Sequence, residues 1–316
     1  MKFEMRDPVL VVGLGGAGSK LALQAKEKLN SDCLLISHDS KDLSSDHSIL
    51  IDTGSILNPS SHLIRGASHH IIDRIGEEIS KYSTVIIVAN LAGKAGTALA
   101  PLVSQAAKER QKNVISFAIM PFKFEKERIF PSGIALKRLR ANSVCTIIID
   151  NDALLDTNPD LTPTSCYQIT NDVFEKVVSL LKFSSVLDDT NILSTSKDVS
   201  DVQTSLRDSI KMLYEDAPPS SVKRSMLYVL GGSDVPVGVL NSLNSTVSSI
   251  FKDTGTPVTM SVMAGEKSQV FMLSSVEGET RFDSYDPLGI IPTKNTLDWE
   301  MPDCSISCEL DLAQLE

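Results

Sequence analysis

The sequence predicts an α/β fold in which helices cover both faces of a parallel β-sheet. Apolar runs alternate with helix-like segments through the first half of the chain, and each run is continuously apolar rather than alternating. Strands that are buried on both faces of a parallel sheet have this composition. The runs that we predict as strands are Val9–Val12, Cys33–Ser37, Thr84–Ala89, Asn113–Met120 and Val144–Ile149. The helices predicted between them are Gly18–Leu29, Leu63–Lys81, Thr97–Gln111 and Ser132–Ala141.

A glycine-rich turn separates the first strand from the first helix. Gly13, Gly15 and Gly18 satisfy the pattern GxGxxG, which occurs where a chain binds a dinucleotide. Glycines let the backbone approach a ligand closely, and the start of a helix offers free N–H groups to an anion. This turn therefore predicts a phosphate site.

The second half of the chain predicts a long helix followed by a smaller α/β unit. An amphipathic helix covers about residues 165–182, with Val173, Phe174 and Val177 on one stripe. After a polar stretch at 184–202, the predicted elements are a helix at Val202–Tyr214, a strand at Met226–Leu230, a helix that ends near Lys252, and strands at Pro257–Val262 and Gln269–Ser274. We therefore divide the chain into residues 1–164, a central helix at 165–183, a second unit at 184–278 and a partly ordered acidic tail at 279–316.

Composition excludes several classes of protein. The chain has 316 residues, 42% of them hydrophobic, and its net charge of −10 argues against broad nucleic-acid binding, which needs a basic face. Five scattered cysteines favour a reducing cytoplasm over a disulfide-bonded secreted protein. No apolar run approaches the ~20 residues of a membrane span, and residues 1–7 lack the apolar stretch of a signal peptide. We expect a cytoplasmic protein that neither binds nucleic acid nor spans a membrane.

Several short motifs in a fixed order narrow the prediction. They are Pro121-Phe-Lys-Phe-Glu125 followed by Arg128, then Asn151-Asp152-Ala-Leu-Leu155, Tyr167, and Asn171-Asp172-Val173 on the long helix. A turn, Gly231-Gly-Ser-Asp234, follows in the second unit. In order and spacing these motifs resemble the tubulin/FtsZ superfamily, and they resemble FtsZ and its archaeal relatives more closely than eukaryotic tubulin. The resemblance covers about residues 9–276.

The resemblance implies a Rossmann-like GTPase domain with a parallel sheet, a long central helix and a smaller activation domain of the FtsZ C-terminal type. It also implies GTP or GDP bound with Mg²⁺, and head-to-tail filaments in which one subunit completes the GTPase site of its neighbour. The residues that would contact the nucleotide, by their place in the motifs, are Gly15, Gly16, Gly18, Lys20, Asp39, Gly93, Lys94, Gly96, Thr97, Glu125, Arg128, Asn151, Tyr167 and Asp172.

These residues divide by the part of the nucleotide that they would meet. The glycines and Thr97 would surround the phosphates, whereas Glu125 and Arg128 would lie at the ribose. Tyr167 would stack on guanine, and the Asp172 carboxylate would accept from the N1 and N2 hydrogens of guanine, which adenine does not match. The alternative is that Tyr167 belongs to the core and Asp172 is a solvated helix residue.

The phosphate loop departs from the family pattern GGGTGTG. The corresponding segment is Ala92-Gly-Lys-Ala-Gly-Thr-Ala98, so two glycines and a threonine are replaced by alanine, and Lys94 replaces another glycine. Lys94 has two interpretations: its charge lies over the phosphates, or it points to solvent on a loop that no longer binds them well. Lys20 replaces an asparagine that the family uses near the base, and Asp39 is retained in a divergent segment, Ser37–Leu43.

The candidate catalytic residues follow the central helix. The family has N-x-D-x-x-D there, and its acidic residues activate water on the GTP of the next subunit. Here Ser196-Lys-Asp198-Val-Ser-Asp201 keeps both carboxylates at that spacing but replaces the asparagine by serine. Two interpretations stand side by side: Asp198 and Asp201 are catalytic, or they cap a helix and stabilise its dipole.

Three functions follow from these observations. The first is a filament-forming, guanine-nucleotide-binding cytoskeletal protein of the FtsZ type, active in cell division or cell shape. Its partners would be itself and, through a leucine-rich segment at 309–316, a membrane-anchor adaptor or another FtsZ-like protein. The second is a non-catalytic scaffold or regulator with an eroded phosphate loop. The third is an NAD-dependent oxidoreductase, because Asp39 stands about 21 residues after Gly18. The departures from the bacterial pattern suggest an archaeal or otherwise divergent lineage.

Overall fold

One continuous β-sheet runs through the described part of the chain, and helices cover both of its faces. The computed structural model describes residues 5–54, 56, 58–181, 190–197, 201–231, 235–263 and 269–286. The strands are β1 (Val9–Leu14), β2 (Asp32–Ser37), β3 (Ser48–Leu50), β4 (Thr84–Asn90), β5 (Asn113–Met120), β6 (Cys145–Asp150), β7 (Thr190–Thr195), β8 (Val222–Leu230), β9 (Val258–Met263) and β10 (Gln269–Val276). The helices are α1 (Gly15–Leu29), α2 (Ser61–Ser68), α3 (Ile72–Ser80), α4 (Lys94–Glu109), α5 (Lys126–Asn142), α6 (Asn151–Thr157), α7 (Pro163–Leu180), α8 (Val202–Asp216) and α9 (Val237–Ile250).

The strand order is β3-β2-β1-β4-β5-β6-β7-β10-β8-β9, which confirms the α/β prediction. Neighbouring strands from β3 to β7 run parallel, whereas β10 is antiparallel to both β7 and β8. The carboxyl ends of β1, β4, β5 and β6 therefore lie side by side, and we call this side of the sheet the carboxyl edge. Ligands of open α/β sheets bind outside this edge.

Both faces of the strands are buried, which explains their continuously apolar sequences. In β1, Val9 and Val11 pack with α1 and α7 on one face, whereas Leu10 and Val12 pack with α3, α4 and α5 on the other. A third buried cluster joins α8 and α9 to β7, β8 and β10. Because alternate residues of a strand point to opposite faces, burial of both faces leaves no polar positions.

Helix α7 is the predicted central helix, and it packs against both halves of the sheet. Its Phe174 ring meets Phe117 of β5 edge-on, with 4.8 Å between ring centroids. The same buried cluster includes Tyr228 of β8 and Phe271 of β10. The Thr162 side chain accepts from the third residue of the helix, which is a favourable N-cap.

Strand β7 lies within the stretch that the sequence predicted as polar and irregular. All six of its residues are buried, and sheet contacts bind several of its polar groups. Ser275 Oγ donates to Asn191 Oδ1 at 2.8 Å, and Gln269 Nε2 donates to Thr195 Oγ1 at 3.2 Å. Because β7 pairs with β6 and with β10, the second unit extends the sheet of the first.

Three helices differ from their predicted bounds. The predicted helix Leu63–Lys81 is divided into α2 and α3 by a 3₁₀ turn at His69–Ile71. Helices α4 and α5 begin earlier than predicted, because the last residues of two motif segments already belong to them. Pro101 and Pro131 lie inside these helices, where each removes one helical hydrogen bond.

The predicted acidic tail begins with an ordered segment. Residues Arg281–Tyr285 form a 3₁₀ helix, and Phe282 and Tyr285 are buried in the cluster that includes α5. Gly133 of α5 allows this contact, since a Cβ there would lie 2.7 Å from Tyr285 Cβ. Residues 287–316 lie outside the described residues. None of the helices that the structure describes is long and apolar enough to cross a membrane.

Candidate functional site

Two helices begin side by side at the carboxyl edge. Helix α1 starts directly after β1, and α4 starts after the loop that follows β4. Gly15, at φ +69°, allows them to approach, since a Cβ there would lie 2.9 Å from Ala95 Cβ. Neither helix has a side-chain cap, because the N-cap residues are Leu14 and Gly93. The unpaired N–H groups of both first turns are therefore available to an anion.

Two other motif glycines are required by contacts within the protein. A Cβ at Gly18 would lie 2.5 Å from the Val88 carbonyl oxygen, and one at Gly96 would lie 2.1 Å from the Asn90 carbonyl oxygen. Gly18 thus lets α1 pack onto β4, which is the role of the third glycine in the GxGxxG pattern. Gly96 lets α4 begin against the end of β4. Both glycines shape the site through the backbone.

A short acidic turn lies beside the start of α1. Asp39 caps the 3₁₀ turn Ser40–Asp42 by accepting from the Lys41 N–H at 3.0 Å, so its observed contact is structural. A Cβ at Gly16 would lie 2.7 Å from Asp42 Oδ1, and the Ser37 hydroxyl donates to Asp42 Oδ2 at 2.7 Å. Asp42 therefore places a carboxylate beside the first turn of α1. The sequence motifs predicted Asp39 as a site residue but did not indicate Asp42.

The altered phosphate loop is well packed. Ala92, Ala95 and Ala98 are buried, so their methyl groups fill the protein interior. The Thr97 hydroxyl lies 2.6 Å from the Leu91 carbonyl oxygen and 2.8 Å from that of Gly93, and it donates within this loop. The alanines therefore pack within the loop, and Ala98 also lines a small cavity beside α5.

Lys94 is exposed, and its side chain contacts the segment before α2. Its ammonium donates to Asn58 Oδ1 at 2.7 Å and contacts the Asn58 carbonyl oxygen at 3.4 Å. Asn58 has φ +57° in the segment before α2. Lys94 thus joins the start of α4 to this segment, a pairing that no motif spacing indicated.

The predicted ribose pair lies next to the same loop. Glu125 and Arg128 form an ion pair with 3.0 Å between Oε1 and Nη1. The Phe122 N–H donates to Glu125 Oε2 at 3.2 Å, and Arg128 Nη1 donates to the Ala92 carbonyl oxygen at 3.0 Å. The structure therefore brings the motif after β5 together with the loop after β4.

An aromatic cluster adjoins this pair. The Tyr167 ring meets Phe122 edge-on, with 5.4 Å between centroids, and Phe124 stacks on the other side at 5.2 Å. Burial raises the pKa of Tyr167, and the Glu125 carboxylate raises it further. Phe124 is 64% exposed, so one ring of the cluster faces solvent. Tyr167 was singled out by the sequence, whereas Phe122 and Phe124 were noted only as letters of a motif.

Asn151 is fully buried and has an unpaired donor. Its Oδ1 accepts from the Thr170 hydroxyl at 2.7 Å, but its Nδ2 has no partner within the described residues. A buried donor without a partner costs about 1–3 kcal/mol, so this amide is suited to a ligand oxygen. Asp172 and Lys20 are exposed on α7 and α1, and no described contact brings them into the cluster.

A partly buried ionic cluster supports the loops of the site. It consists of four carboxylates and two cations: Asp150, Asp152, Asp156, Asp216, Lys123 and Arg281. The Asp152 side chain accepts from the Lys123 N–H at 2.9 Å, and the Asp150 side chain accepts from the Asp152 N–H. Since Asp150 directly precedes Asn151, the cluster links the segment after β6, which holds Asn151, to the segment after β5, which holds Lys123.

Arg281 comes from the segment that the sequence assigned to the tail. Its guanidinium pairs with Asp150 of β6 and lies 3.2 Å from Asp216 Oδ1 of α8. Burial raises the pKa of Asp216 well above its ordinary value, and the Asp152 and Glu215 carboxylates raise it further. The sequence had no signal for this pairing, because Arg281 is far from its partners along the chain.

The candidate catalytic residues are only partly described. Asp198 lies outside the described residues. Asp201 is the N-cap of α8: it accepts from the N–H groups of Gln203 and Thr204 at 3.2 and 3.1 Å, and from the Thr204 hydroxyl at 2.6 Å. These hydrogen bonds lower the pKa of Asp201, and the bond from the Thr204 hydroxyl has the largest effect. The observed role of Asp201 is helix capping.

The direction of β7 bears on the catalytic hypothesis. Because β7 runs parallel to β6, the carboxyl end of β7, which precedes the candidate catalytic residues, lies on the side of the carboxyl edge. In a head-to-tail filament, a group donated to the next subunit must lie on the side opposite to the donor's own nucleotide site. This placement favours the capping interpretation, and a catalytic role of Asp198 and Asp201 stays a prediction.

Substitutions at Asp201 separate the two roles. We expect Asp201→Ala to lower the Tm, because the cap is lost, whereas Asp201→Ser keeps a capping oxygen and leaves the Tm nearly unchanged. Any GTP turnover should be the same in both variants and in the wild type. The measurements are thermal unfolding and phosphate release from GTP. A folded Asp201→Ser protein with slower turnover would restore the catalytic assignment.

Comparison with known proteins agrees with this geometry. The family model described as "Tubulin/FtsZ family, GTPase domain" matches residues 8–159. "Cell division protein FtsZ 2" of Methanocaldococcus jannaschii is 27% identical over 179 residues, which are 54% of this chain and 47% of that protein. This match therefore spans about half the length of that relative.

Solved structures share the fold at low sequence identity. FtsZ of M. jannaschii superposes with a TM-score of 0.67 at 18% identity, covering 89% of this chain and 90% of that chain. CetZ2 from Haloferax volcanii, a GTPγS-bound protofilament, gives 0.65 at 16% identity, covering 89% and 97%. The matched domain contains the two uncapped helices, the ribose pair and Asn151, while the fold extends over the second unit. Residues 8–159 of this chain therefore match the GTPase domain of the tubulin/FtsZ family, and the described fold is similar to that of FtsZ and CetZ.

Proposed function

We propose that this chain binds GTP or GDP, together with Mg²⁺, at the carboxyl edge of the sheet. The observation that carries the proposal is the approach of two uncapped helix N-termini, at Gly15 of α1 and Ala95 of α4. The N–H groups of Gly15, Gly16 and Gly96 would hold the phosphates, whereas the Thr97 N–H already donates to the Gly93 carbonyl oxygen at 3.0 Å. The match of residues 8–159 to the family's GTPase domain supports the same ligand.

The base and ribose would lie on the α7 side of the phosphates. Tyr167 would stack on the base, and the unpaired Asn151 Nδ2 would donate to a nucleotide oxygen. The Asp172 carboxylate would accept from the two adjacent N–H groups of guanine, and Glu125 with Arg128 would meet the ribose. This donor and acceptor set favours guanine over adenine.

Mg²⁺ fits the charges of the site. Asp42 places a carboxylate beside the first turn of α1, close to where the phosphates would lie. Carboxylate and phosphate oxygens are the ligands that Mg²⁺ prefers, and the bound ion would offset their repulsion. We therefore expect nucleotide affinity to depend strongly on Mg²⁺.

We also propose that the chain assembles head to tail into filaments that act in cell division or cell shape. Relatives named as cell division proteins and the protofilament of CetZ2 support this proposal. The free, buried thiols of Cys33 and Cys166, whose pKa values burial raises to about 11, fit a reducing cytoplasm. A membrane-anchor adaptor or another FtsZ-like protein would be a further partner.

A family member that binds GTP without hydrolysing it is the second candidate. Two observations favour it: the carboxyl end of β7 lies on the side of the carboxyl edge, and Lys94 is bound to Asn58. The test is phosphate release from GTP against protein concentration, with Mg²⁺ and K⁺ present. A threshold followed by rising specific activity would support assembly-coupled hydrolysis. No release at any concentration would support the second candidate.

Substitution of Tyr167 tests the binding proposal. We expect Tyr167→Leu to weaken GTP binding about tenfold, because stacking on an aromatic ring is worth about 1–3 kcal/mol. Tyr82→Leu is the matched control, since Tyr82 bonds Asp32 on another part of the surface. The measurement is fluorescence of a labelled GTP. Equal affinity of the two variants would contradict the assignment of the base site.

Substitution of Lys94 tests its observed contact. We expect Lys94→Ala to change GTP affinity by less than about twofold, whereas loss of a lysine bound to phosphate costs about tenfold or more. Lys94→Ala and Asn58→Ala should lower stability non-additively, because they remove the same bond. Tenfold weaker GTP binding by Lys94→Ala would instead indicate that Lys94 contacts the phosphates of GTP.

A further inference from the structure

A groove rich in arginine lies between α2, α4 and α5. Arg65 of α2, His69 after it and Arg138 of α5 line the groove, with Leu102 and Gln105 of α4 at its base. Its volume is about 490 Å³. This surface is separate from the carboxyl-edge residues assigned to the nucleotide.

The two guanidinium groups of the groove lack acidic partners. Burial lowers the pKa of Arg65, and the positive charge of Arg138 lowers it further. Within the residues that the structure describes, neither arginine forms an ion pair. The neighbouring Glu109 carboxylate accepts from the Gln105 amide at 2.8 Å. Two like charges held together in a chain of net charge −10 favour an anionic occupant.

An apolar slot continues the groove. It has a volume of about 150 Å³ and is lined by Phe130, Ile134 and Ala98, with Arg65 shared between slot and groove. Phe130 is 41% exposed. The combined surface, which we call the arginine groove, therefore suits a segment in which acidic and aliphatic side chains alternate.

We propose that the segment Glu309–Glu316 of the same chain docks in the arginine groove. Its sequence, Glu-Leu-Asp-Leu-Ala-Gln-Leu-Glu, alternates acidic and leucine residues, and residues 287–316 contain six acidic residues against one lysine. Its carboxylates would neutralise Arg65 and Arg138, and its leucines suit the apolar slot. The segment and the arginine groove thus match in both charge and apolar surface.

The described start of the tail contacts α5, the helix that also contributes Arg138 to the groove. Asp286, the last described residue, lies 3.5 Å from Lys137 Nζ, and Lys137 adjoins Arg138 in α5. The residues between Asp286 and Glu309 can span about 70 Å when extended. Since the groove lies along α5 itself, the chain is long enough for intramolecular docking.

A dye on the tail tests the proposal in the full chain. Cys308 is labelled in a Cys304→Ser background, because Cys33, Cys145 and Cys166 are buried. We expect the dye anisotropy to fall at least about twofold in Arg65→Glu/Arg138→Glu, and Glu309→Lys/Asp311→Lys to restore it. The matched control is Lys211→Glu/Lys252→Glu, which makes the same charge change at exposed sites on α8 and after α9. Arg65→Gln/Arg138→Gln repeats the test without charge reversal, and melting curves confirm that each variant folds.

Three results would overturn the proposal. In the first, the anisotropy is the same in wild type and in both arginine variants. In the second, it rises with protein concentration, so the occupant is the tail of a second copy. In the third, Arg65→Glu/Arg138→Glu abolishes binding to phosphatidylglycerol vesicles without changing the anisotropy, so the groove binds an anionic lipid surface instead.

Discussion

Replacement of Arg281 by methionine is expected to cost about 3–5 kcal/mol of unfolding free energy at pH 7. The guanidinium pairs with Asp150 and Asp216, whose side chains are fully buried, and Asp152 and Asp156 lie 3.9 Å away. Methionine keeps the volume but leaves these carboxylates without their shared cation. A buried charge that loses its partner is far more costly than the pair is stabilising.

The cost should depend on pH in a defined direction. Without Arg281, burial holds the pKa of Asp216 above its value in the unfolded chain, as it already does in the wild type. A carboxyl with a raised folded pKa binds more protons in the folded state, so stability increases as the pH falls through that pKa. The difference between Arg281→Met and wild type should therefore be largest near pH 7.5 and smaller at pH 5.5.

Two control variants make this prediction specific. Asp216→Asn removes one carboxylate, so Arg281→Met/Asp216→Asn should be more stable than the sum of the single changes predicts. Arg281→Lys keeps the charge and should lose less than Arg281→Met. The measurement is urea unfolding at the two pH values. A loss below about 1 kcal/mol that does not change with pH would show that the guanidinium is dispensable to the cluster.

The second large effect is expected at Gly96. A Cβ there would lie 2.1 Å from the Asn90 carbonyl oxygen and 2.8 Å from its carbon, so Gly96→Ala must displace α4 from the end of β4. Overpacking of this kind costs about 1–3 kcal/mol. Because the displaced residues include the first turn of α4, we expect GTP affinity to fall by more than about tenfold.

Gly66 supplies the matched control for Gly96. It lies within α2, and a Cβ there would have no heavy atom within 4 Å. Gly66→Ala should therefore leave GTP affinity unchanged and stabilise the protein by about 0.4–1 kcal/mol. The two variants are compared by urea unfolding and by titration with a labelled GTP. If a folded Gly96→Ala protein binds GTP with wild-type affinity, the first turn of α4 does not contribute to the phosphate site.

The first half of the fold was predictable because its strands are buried on both faces. β1, β4 and β5 are almost wholly apolar, with Ser116 the polar residue in the interior of β5, so apolar runs mark them directly. β7 was missed because its buried side chains include Asn191, Ser194 and Thr195, and partners elsewhere in the chain bind Asn191 and Thr195. Periodicity does not reveal a strand whose polar groups are satisfied by tertiary contacts.

The candidate site was predicted in its local parts and missed in its long-range parts. Glu125 and Arg128 stand three positions apart in one motif, and the structure pairs them. Lys94 with Asn58, and Arg281 with Asp150, are pairs between distant segments. No spacing rule connects such residues, because only the folded sheet brings the segments together.

The glycines show a further limit of motif reasoning. The pattern suggested that Gly18 and Gly96 make room for a ligand, but their missing side chains make room for Val88 and Asn90 backbone atoms. Gly15 alone among these three has a positive φ. Gly18 and Gly96 therefore shape the site indirectly, because glycine at these positions lets α1 and α4 pack onto β4.

A calorimetric titration of GTP with Mg²⁺ into the full chain tests whether the protein binds a guanine nucleotide at the carboxyl edge. If Asn151, Tyr167 and Asp172 contact guanine as proposed, GTP should saturate one site per chain, with ATP and NAD each at least about tenfold weaker. Equal binding of ATP, preferred binding of NAD, or no heat with any nucleotide would contradict the assignment of the carboxyl edge as a guanine-nucleotide site.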